Sequence, residues 1–155
     1  MILLEQIKQD LSALQTLILN YEMQHKKAQT TTIISYQEII LEGGEHYAGL
    51  ITGKDGEASY HLILLPDSPT DYLNWQAAKD WAKRMGGDLP TRREQSLLFA
   101  NCKEQFEARY HWSNEQFASV ASYAWCQTFD YGYQTTSHIH DEIRARAVRR
   151  VNINV

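Results

Sequence analysis

Two helical patterns lie next to each other in the middle of the chain, and β-rich stretches flank them on both sides. The first runs through YLNWQAAKDWAKRM, with Thr70 or Asp71 as the predicted cap and Gly86-Gly87 as the stop. The second begins at Thr91, and Glu94 completes a capping box in which each side chain accepts a hydrogen bond from a free backbone N–H. The order of strands, two helices and strands predicts an α+β fold.

The flanking stretches carry strand and turn signals. A strand is predicted for IISYQEIIL (residues 33–41), which is rich in β-branched residues and ends at Gly43-Gly44. Asp55-Gly56, between two apolar runs, predicts a hairpin because these residues tolerate positive φ. After Phe106 the β-like stretches are YHWS, YAWCQTF, a turn containing Gly132, YQTTS and the terminal RARAVRRV.

The first 27 residues form a separate pattern. Apolar residues recur at alternating steps of three and four, which is a heptad seam; its members are Leu4, Ile7, Leu11, Leu14, Ile18 and Tyr21. Such a helix either lies on its own domain or self-associates, and the pattern favours a parallel coiled coil of two or three chains. The polar stretch that follows reads as a linker. We therefore predict an oligomerisation helix over residues 1–27 and a globular domain over residues 28–155.

Charge and hydropathy narrow the choice of partners. The 155-residue chain has 15 Lys and Arg against 19 Asp and Glu, a formal charge of −4, which gives no overall attraction to phosphate backbones. No segment has the apolar length needed to cross a bilayer, and the N-terminus lacks the features of a signal peptide. The expectation is a cytoplasmic protein that binds neither nucleic acid nor membrane.

No pattern for catalysis is present. Cys102 and Cys126 form no C-x-x-C motif and are expected to be small buried hydrophobic residues. There is no G-x-S-x-G motif and no Gly-rich phosphate loop. We expect a protein that is not an enzyme and that needs no cofactor.

The stretch YAWCQTFDYGYQ, residues 123–134, is the strongest candidate for a binding surface. Strand alternation places large side chains on one face and Ala124, Cys126 and Thr128 on the other. If the small residues pack on the helices, the large ones face outward; if the rings are core, the stretch is structural. Phe129 and one Trp are predicted to be core. The predicted contact residues are Tyr123, Trp125, Gln127, Tyr131, Tyr133, Gln134 and His138.

Two charged clusters are candidate sites. His138 and His140 share a strand face with carboxylates beside them, but a zinc site needs a further ligand, so solvated loop residues and no metal are predicted. Arginines crowd the C-terminal stretch and the second helix start: Arg92, Arg93, Arg144, Arg146, Arg149 and Arg150. They either grip phosphate or an acidic partner, or form structural ion pairs with nearby carboxylates; the acidic total charge favours ion pairs.

Several motifs follow one another between Gly44 and Val151: YHLILLP, a W-x-x-A-x-x-W helix, GGDLPTRREQSLLFAN, YHWSNEQ, YAWCQTFDYGYQ and RARAVRRV. In this order they resemble the Lcl C-terminal domain family, a domain of unknown function frequent in bacterial and phage proteins. The resemblance implies a C-type-lectin-like fold, with two helices on a small twisted antiparallel sheet. This branch also contains the formylglycine-generating enzymes and the variable proteins of diversity-generating retroelements.

The chain departs from the sites of these relatives. The triplets that hold calcium in sugar-binding C-type lectins do not occur. The copper-binding cysteine pair of formylglycine-generating enzymes is not matched, because Cys102 lies in a predicted helix and Cys126 in a predicted strand. The resemblance therefore implies a binding module without catalytic residues.

These observations together predict a phage or prophage accessory protein, an inhibitor of host defence that binds a host protein through its aromatic face. The N-terminal helix would make it a dimer or trimer. The alternatives are an adhesin-like virion (tail fibre) domain, and a degenerate enzyme-like domain that retains a small-molecule or metal pocket.

Overall fold

The computed structural model describes residues 2–25 and 37–153. In these residues the protein is α+β, with three α-helices and two antiparallel three-stranded sheets. The elements in chain order are α1 (Ile2–His25), β1 (His46–Ile51), β2 (Tyr60–Leu64), α2 (Trp75–Arg84), α3 (Arg92–Asn101), a short 3-10 turn (Lys103–Gln105), β3 (Tyr110–Gln116), β4 (Tyr123–Thr128), β5 (Gln134–His138) and β6 (Val148–Asn152).

The chain divides into two compact units, Met1–Ile34 and Ser35–Val155. The first contains α1, so the predicted N-terminal helix is confirmed. The second contains all the strands and the other two helices, and we call it the head. Among the described residues, no helix combines the length and the apolar character that crossing a membrane requires.

The hairpin predicted at Asp55-Gly56 joins β1 to β2 and is confirmed. Asp55 has φ 52° and Gly56 has φ 89°, and both values are positive, as this type of turn requires. The Glu57 N–H donates to the carbonyl of Lys54 at 2.9 Å and closes the turn. The two strands pair antiparallel, with a bulge between Tyr47 and Gly49.

The strand predicted over residues 33–41 is not found where the structure describes that stretch. Residues 33–36 lie outside the described residues, and residues 37–42 have no regular secondary structure. A strand needs a neighbouring strand to satisfy its backbone groups. Here the carbonyl of Ile40 accepts a hydrogen bond from the Arg149 side chain at 3.0 Å instead.

Helix α2 begins later than predicted. Its cap is Asn74, whose side chain accepts a hydrogen bond from the Ala77 N–H at 2.9 Å. Thr70 and Asp71 do not cap it, because the chain is still extended at Leu73. The backbone of Leu73 exchanges two hydrogen bonds with that of Ile143, at 2.9 and 3.1 Å.

The strands form one sheet of order β1-β2-β6 and a second of order β3-β4-β5. Helix α2 packs on the second sheet, where Trp75, Ala78 and Ala82 join Trp112 and Cys126 in one core cluster. The finer prediction of a C-type-lectin-like fold stays a prediction.

Helix α3 is held between the two sheets. It contacts β1 of the first sheet and β3 and β4 of the second. Its residue Leu98 is buried in a second core cluster with Leu62 of β2 and Phe129. The predicted capping box is confirmed, because Thr91 accepts from the Glu94 N–H at 3.2 Å and Glu94 accepts from the Thr91 N–H at 2.8 Å. This helix positions the candidate site.

Candidate functional site

Strand β4 places small side chains towards the core and rings towards the outside. Ala124 and Cys126 are buried in the cluster that contains the α2 residues. Trp125 is half-buried and Tyr123 is 37% exposed on the opposite side of the strand. Of the two alternatives raised by the alternation, the one with outward-facing rings therefore holds for Tyr123 and Trp125.

The pairing of β4 with β5 extends this outer surface. Tyr123 lies opposite His138, and Trp125 lies opposite Thr136. Directly opposed residues on neighbouring strands share a face of the sheet. The Tyr123 and His138 rings are 5.4 Å apart in an edge-to-face arrangement. We call Tyr123, Trp125, Thr136 and His138 the strand face.

Gln127 was predicted to point outward with these rings, and that prediction is wrong. Its side chain is only 1% exposed. Its amide donates a hydrogen bond to the backbone carbonyl of Gln95 in α3, at 3.1 Å. Since α3 covers this end of the outer surface, Gln127 supports the site from beneath and does not reach solvent.

The course of α3 divides the predicted contact residues into two groups. The first residue of α3, Arg92, lies over Trp125, and its carbonyl accepts a hydrogen bond from the Gln134 amide at 2.8 Å. Near the other end of the helix, the Phe99 ring lies against Gly132, where an added Cβ would come within 2.9 Å of it. The helix therefore lies between the strand face and the turn that follows β4.

Tyr131 and Tyr133 form the second group, which we call the aromatic turn. Tyr131 is 86% exposed and Tyr133 is 62% exposed. The backbone beneath them is ordered by hydrogen bonds from Gly132 N–H to the Thr128 carbonyl and from Thr128 N–H to the Tyr133 carbonyl, both at 3.0 Å. The turn thus presents two rings on a fixed backbone.

A cleft of about 610 Å³ lies beside the aromatic turn, and Tyr131 forms one wall of it. Phe129 and Phe106 stack with ring centroids 3.7 Å apart at its inner side. Lys103 crosses towards the turn and donates to the Asp130 carbonyl at 2.8 Å. Phe129 is 1% exposed and Trp112 fully buried, so the prediction that Phe129 and one Trp belong to the core is confirmed.

Arg92 is a site residue that the sequence singles out only as one of several clustered arginines. Its guanidinium carbon lies 3.5 Å from the Trp125 ring centroid. Its Nε donates to the side-chain oxygen of Gln134 at 3.0 Å. Arg92 is 33 positions from Trp125 and 42 positions from Gln134 in the sequence, so no local spacing could have identified these contacts.

The histidines beside the strand face interact with one another and with Asp141. The rings of His138 and His140 are 5.2 Å apart. Asp141 accepts hydrogen bonds from the Ser137 hydroxyl at 2.6 Å and from the His138 N–H at 3.0 Å, and the pKa of its carboxyl is lowered, chiefly by the Ser137 bond. In the described part of the chain, no group of three or more His, Cys, Asp or Glu side chains is placed to hold a metal.

Three of the four C-terminal arginines form structural ion pairs, as predicted. Arg150 pairs with Glu94 and Asp88, and Arg149 pairs with Glu45 at 2.6 Å. Arg144 pairs with Glu107. Arg146 forms no ion pair among the described residues and instead donates to the backbone carbonyls of Gln105 and Leu65. The side chains of all four arginines are therefore bound within the head, three of them to carboxylates.

Both cysteines are free and buried, as predicted. Burial raises the pKa of the Cys126 thiol to about 12 and also raises the pKa of the Cys102 thiol. The thiolate is the reactive form of cysteine. Near neutral pH both side chains therefore remain protonated, unreactive thiols.

The seam of α1 is exposed along the described helix. Leu4, Ile7, Leu11, Leu14, Ile18 and Tyr21 are all between 49% and 63% exposed within a single chain. The rest of the helix surface carries local polar contacts such as the Lys8–Glu5 ion pair at 3.0 Å. Self-association through the seam stays a prediction.

Comparison with known proteins identifies no family: no protein-family model matches the chain, and no curated protein matches its sequence. The resemblance to the Lcl C-terminal domain family stays a prediction that rests on the quoted motifs.

Proposed function

We propose that the head is a non-enzymatic binding module that contacts another protein through the aromatic turn and the strand face. The exposure of Tyr131 is the observation that carries this proposal, since a ring left 86% exposed contributes almost nothing to the core. Exposed tyrosines on a turn held by a rigid scaffold are typical of protein-binding surfaces.

The surroundings of the two rings support the same function. The Gly132 backbone lies against Phe99, so the turn is already positioned before a partner arrives. Preorganisation of this kind lowers the entropic cost of binding. The neighbouring cleft, with Phe106 at its base, offers a partner an apolar side-chain pocket next to Tyr131.

Self-association through α1 would strengthen such binding. Two or three linked heads bind a multivalent partner with an avidity above the affinity of one head. With the family resemblance, these features favour a phage or prophage accessory protein whose partner is a host protein that it inhibits.

The test is an affinity pull-down from host lysate with the wild-type chain beside a Tyr131→Ala, Tyr133→Ala double variant. A matched control is Tyr47→Ala, Tyr72→Ala, which removes two tyrosines that are 44% and 46% exposed outside both surfaces. We expect one protein to be retained by the wild type and the control and to be reduced at least about tenfold by the turn variant.

Circular dichroism of all three proteins checks that each is folded, so that a loss of retention reports on binding. Equal retention by the folded turn variant, or no protein retained by the wild type, would contradict the proposal.

A further inference from the structure

The Arg92 side chain lies on the strand face and is held there by contacts with Trp125 and Gln134. Its guanidinium carbon lies 3.5 Å from the centroid of the Trp125 ring, which is a stacking distance. Cation–π stacking uses the face of the guanidinium and leaves its edge, with the N–H donors, free to bind a ligand.

A layer of glutamines beneath the arginine holds it there. Gln134 accepts from the Arg92 Nε at 3.0 Å and donates to the Arg92 carbonyl and to the Gln127 side chain, both at 2.8 Å. Gln127 is itself buried and bonded to the Gln95 carbonyl. The guanidinium is therefore oriented on both its stacked face and its Nε side.

The terminal nitrogens of Arg92 are unused within the part of the chain that the structure describes: neither donates a hydrogen bond there, and no carboxylate lies within ion-pair distance. The nearby carboxylate of Glu115 accepts from the Arg92 backbone N–H at 2.8 Å and does not pair with the guanidinium. By contrast Arg144, Arg149 and Arg150 each pair with a carboxylate of the head. Arg92 thus keeps a free, oriented fork of donors.

The strand face carries further donors at Tyr123 and His138, which pair with each other two positions along β4 from Trp125. His138 accepts the His140 N–H through its Nδ1 at 3.3 Å, so in the neutral ring its Nε2 carries the proton. The Tyr123 hydroxyl, next to His138, has no hydrogen-bond partner among the described residues. A ligand for this surface needs acceptor oxygens together with an apolar or planar part.

We propose that the strand face is a carboxylate-binding site, in which Arg92 forms a bidentate ion pair with an Asp or Glu side chain of the partner protein. The inference rests on the proposed function and specifies the chemistry of that partner: an acidic side chain flanked by apolar or aromatic residues. A planar carboxylate matches the two parallel N–H donors of a guanidinium edge.

The experiment titrates the full-length ¹⁵N-labelled chain with sodium benzoate. NMR spectra record the shifts of the Arg92 Nε–H and Trp125 Nε1–H resonances. Benzamide, which has the same ring without the charge, is the matched neutral probe. We expect saturable shifts with benzoate, and binding at least about tenfold weaker with benzamide.

Two variants locate the binding. Arg92→Gln removes the fork, and Arg93→Gln removes the same charge from the next residue, whose side chain bonds Thr52 at 3.1 Å. Benzoate binding should fall at least about tenfold in Arg92→Gln and less than about twofold in Arg93→Gln. Equal losses in both variants, equal binding of benzamide, or no saturable shift would overturn the proposal.

A titration with inorganic phosphate distinguishes a carboxylate site from a phosphate site. If phosphate binds more tightly than benzoate and with the same dependence on Arg92, the site is a phosphate site and the carboxylate proposal fails. A protein captured in a manner that depends on Tyr131 and Tyr133, with no benzoate site, would leave the proposed function standing and remove only this inference.

Discussion

His111 is a titratable side chain enclosed by aromatic rings. It is 2% exposed, and its ring meets those of Phe106 and Phe129 edge-on, each with centroids 5.1 Å apart. Burial lowers the pKa of His111 to about 4, and the charges of Arg146 and Arg144 act in the same direction. The folded protein therefore keeps this imidazole neutral at pH values where an unfolded chain protonates it.

This difference predicts a loss of stability in mild acid. Because the folded pKa is below the ordinary value of about 6.5, the unfolded state takes up the proton first, and stability falls as pH falls from 6.5 towards 4. Between pH 7 and pH 5, His111 should account for a loss of about 2 kcal/mol in the free energy of unfolding.

Urea unfolding measures this loss of stability. The wild type and His111→Phe are compared at pH 7, 6 and 5, at one protein concentration. The variant keeps a ring and loses the titration, so its stability should depend less steeply on pH. The loss of the bond between Nδ1 and the Arg109 carbonyl adds an offset that is similar at each pH. Parallel pH profiles would contradict the assignment to His111.

Glu94 makes one local contact, which the sequence predicts, and further contacts with distant parts of the chain. Its role in the capping box of α3 was predicted from a spacing of three residues. The carboxylate also accepts from Arg150 Nε at 2.6 Å, one of the predicted arginine–carboxylate pairs, and from the Tyr60 hydroxyl at 2.7 Å, a contact that was not predicted. Burial, with the Glu94 hydrogen bond, raises the pKa of Tyr60 to about 12. The cap is a local interaction, whereas the partners come from β2 and β6.

At the scale of elements, α3 decides the form of the candidate surface. It contacts β1 of the first sheet and β3 and β4 of the second, with Arg92 at Trp125 and Phe99 at Gly132. The alternation along β4 predicted which residues face the same way. It did not predict that a helix covers Gln127, because strand periodicity carries no information about what packs on each face.

The turn that α3 supports depends on Gly132. Its φ is 74°, a value that L-residues rarely adopt, and an added Cβ would lie 2.9 Å from the Phe99 ring. Gly132→Ala should therefore lower the free energy of unfolding by about 2 kcal/mol, from backbone strain and the displaced ring. It should also weaken partner binding, since Tyr131 and Tyr133 flank this residue.

Gly43→Ala is the matched control, because nothing lies within 4 Å of a Cβ at that position. Its unfolding free energy in urea should stay within about 0.5 kcal/mol of the wild-type value. A Gly132→Ala protein as stable as the control would show that the turn does not require glycine.

At the scale of the whole molecule, the chain consists of a helix with an exposed apolar seam and a head with its own core. An isolated helix gains most of its stability by burying such a seam. Self-association is therefore the predicted role of α1, and the head is the predicted recognition unit.

Leu11→Glu, Leu14→Glu places two charges in the seam and should reduce the chain to a monomer of 17.9 kDa. Gln9→Glu, Thr16→Glu adds the same charge on the other side of the helix, where it should leave the mass of the wild-type oligomer unchanged. Light scattering after size-exclusion chromatography measures all three masses. The coiled-coil prediction fails if the seam variant keeps the wild-type mass or if the wild type is itself monomeric.

Local patterns were sufficient for most elements of the fold. The seam of α1, the Asp55-Gly56 hairpin, the capping box of α3 and the turn at Gly132 each depend on residues a few positions apart, so their geometry follows from backbone periodicity and side-chain size. The predicted strand over residues 33–41 failed in its described part because pairing requires a neighbour that composition does not specify.

The arrangement of the candidate site depended on long-range packing. Arg92 meets Trp125 and Gln134 only because α3 packs on the second sheet. The same packing buries Gln127 and separates Tyr123 from Tyr131. Contacts between residues more than thirty positions apart are set by how whole elements fit together, and a one-dimensional pattern of polar and apolar residues does not encode that fit.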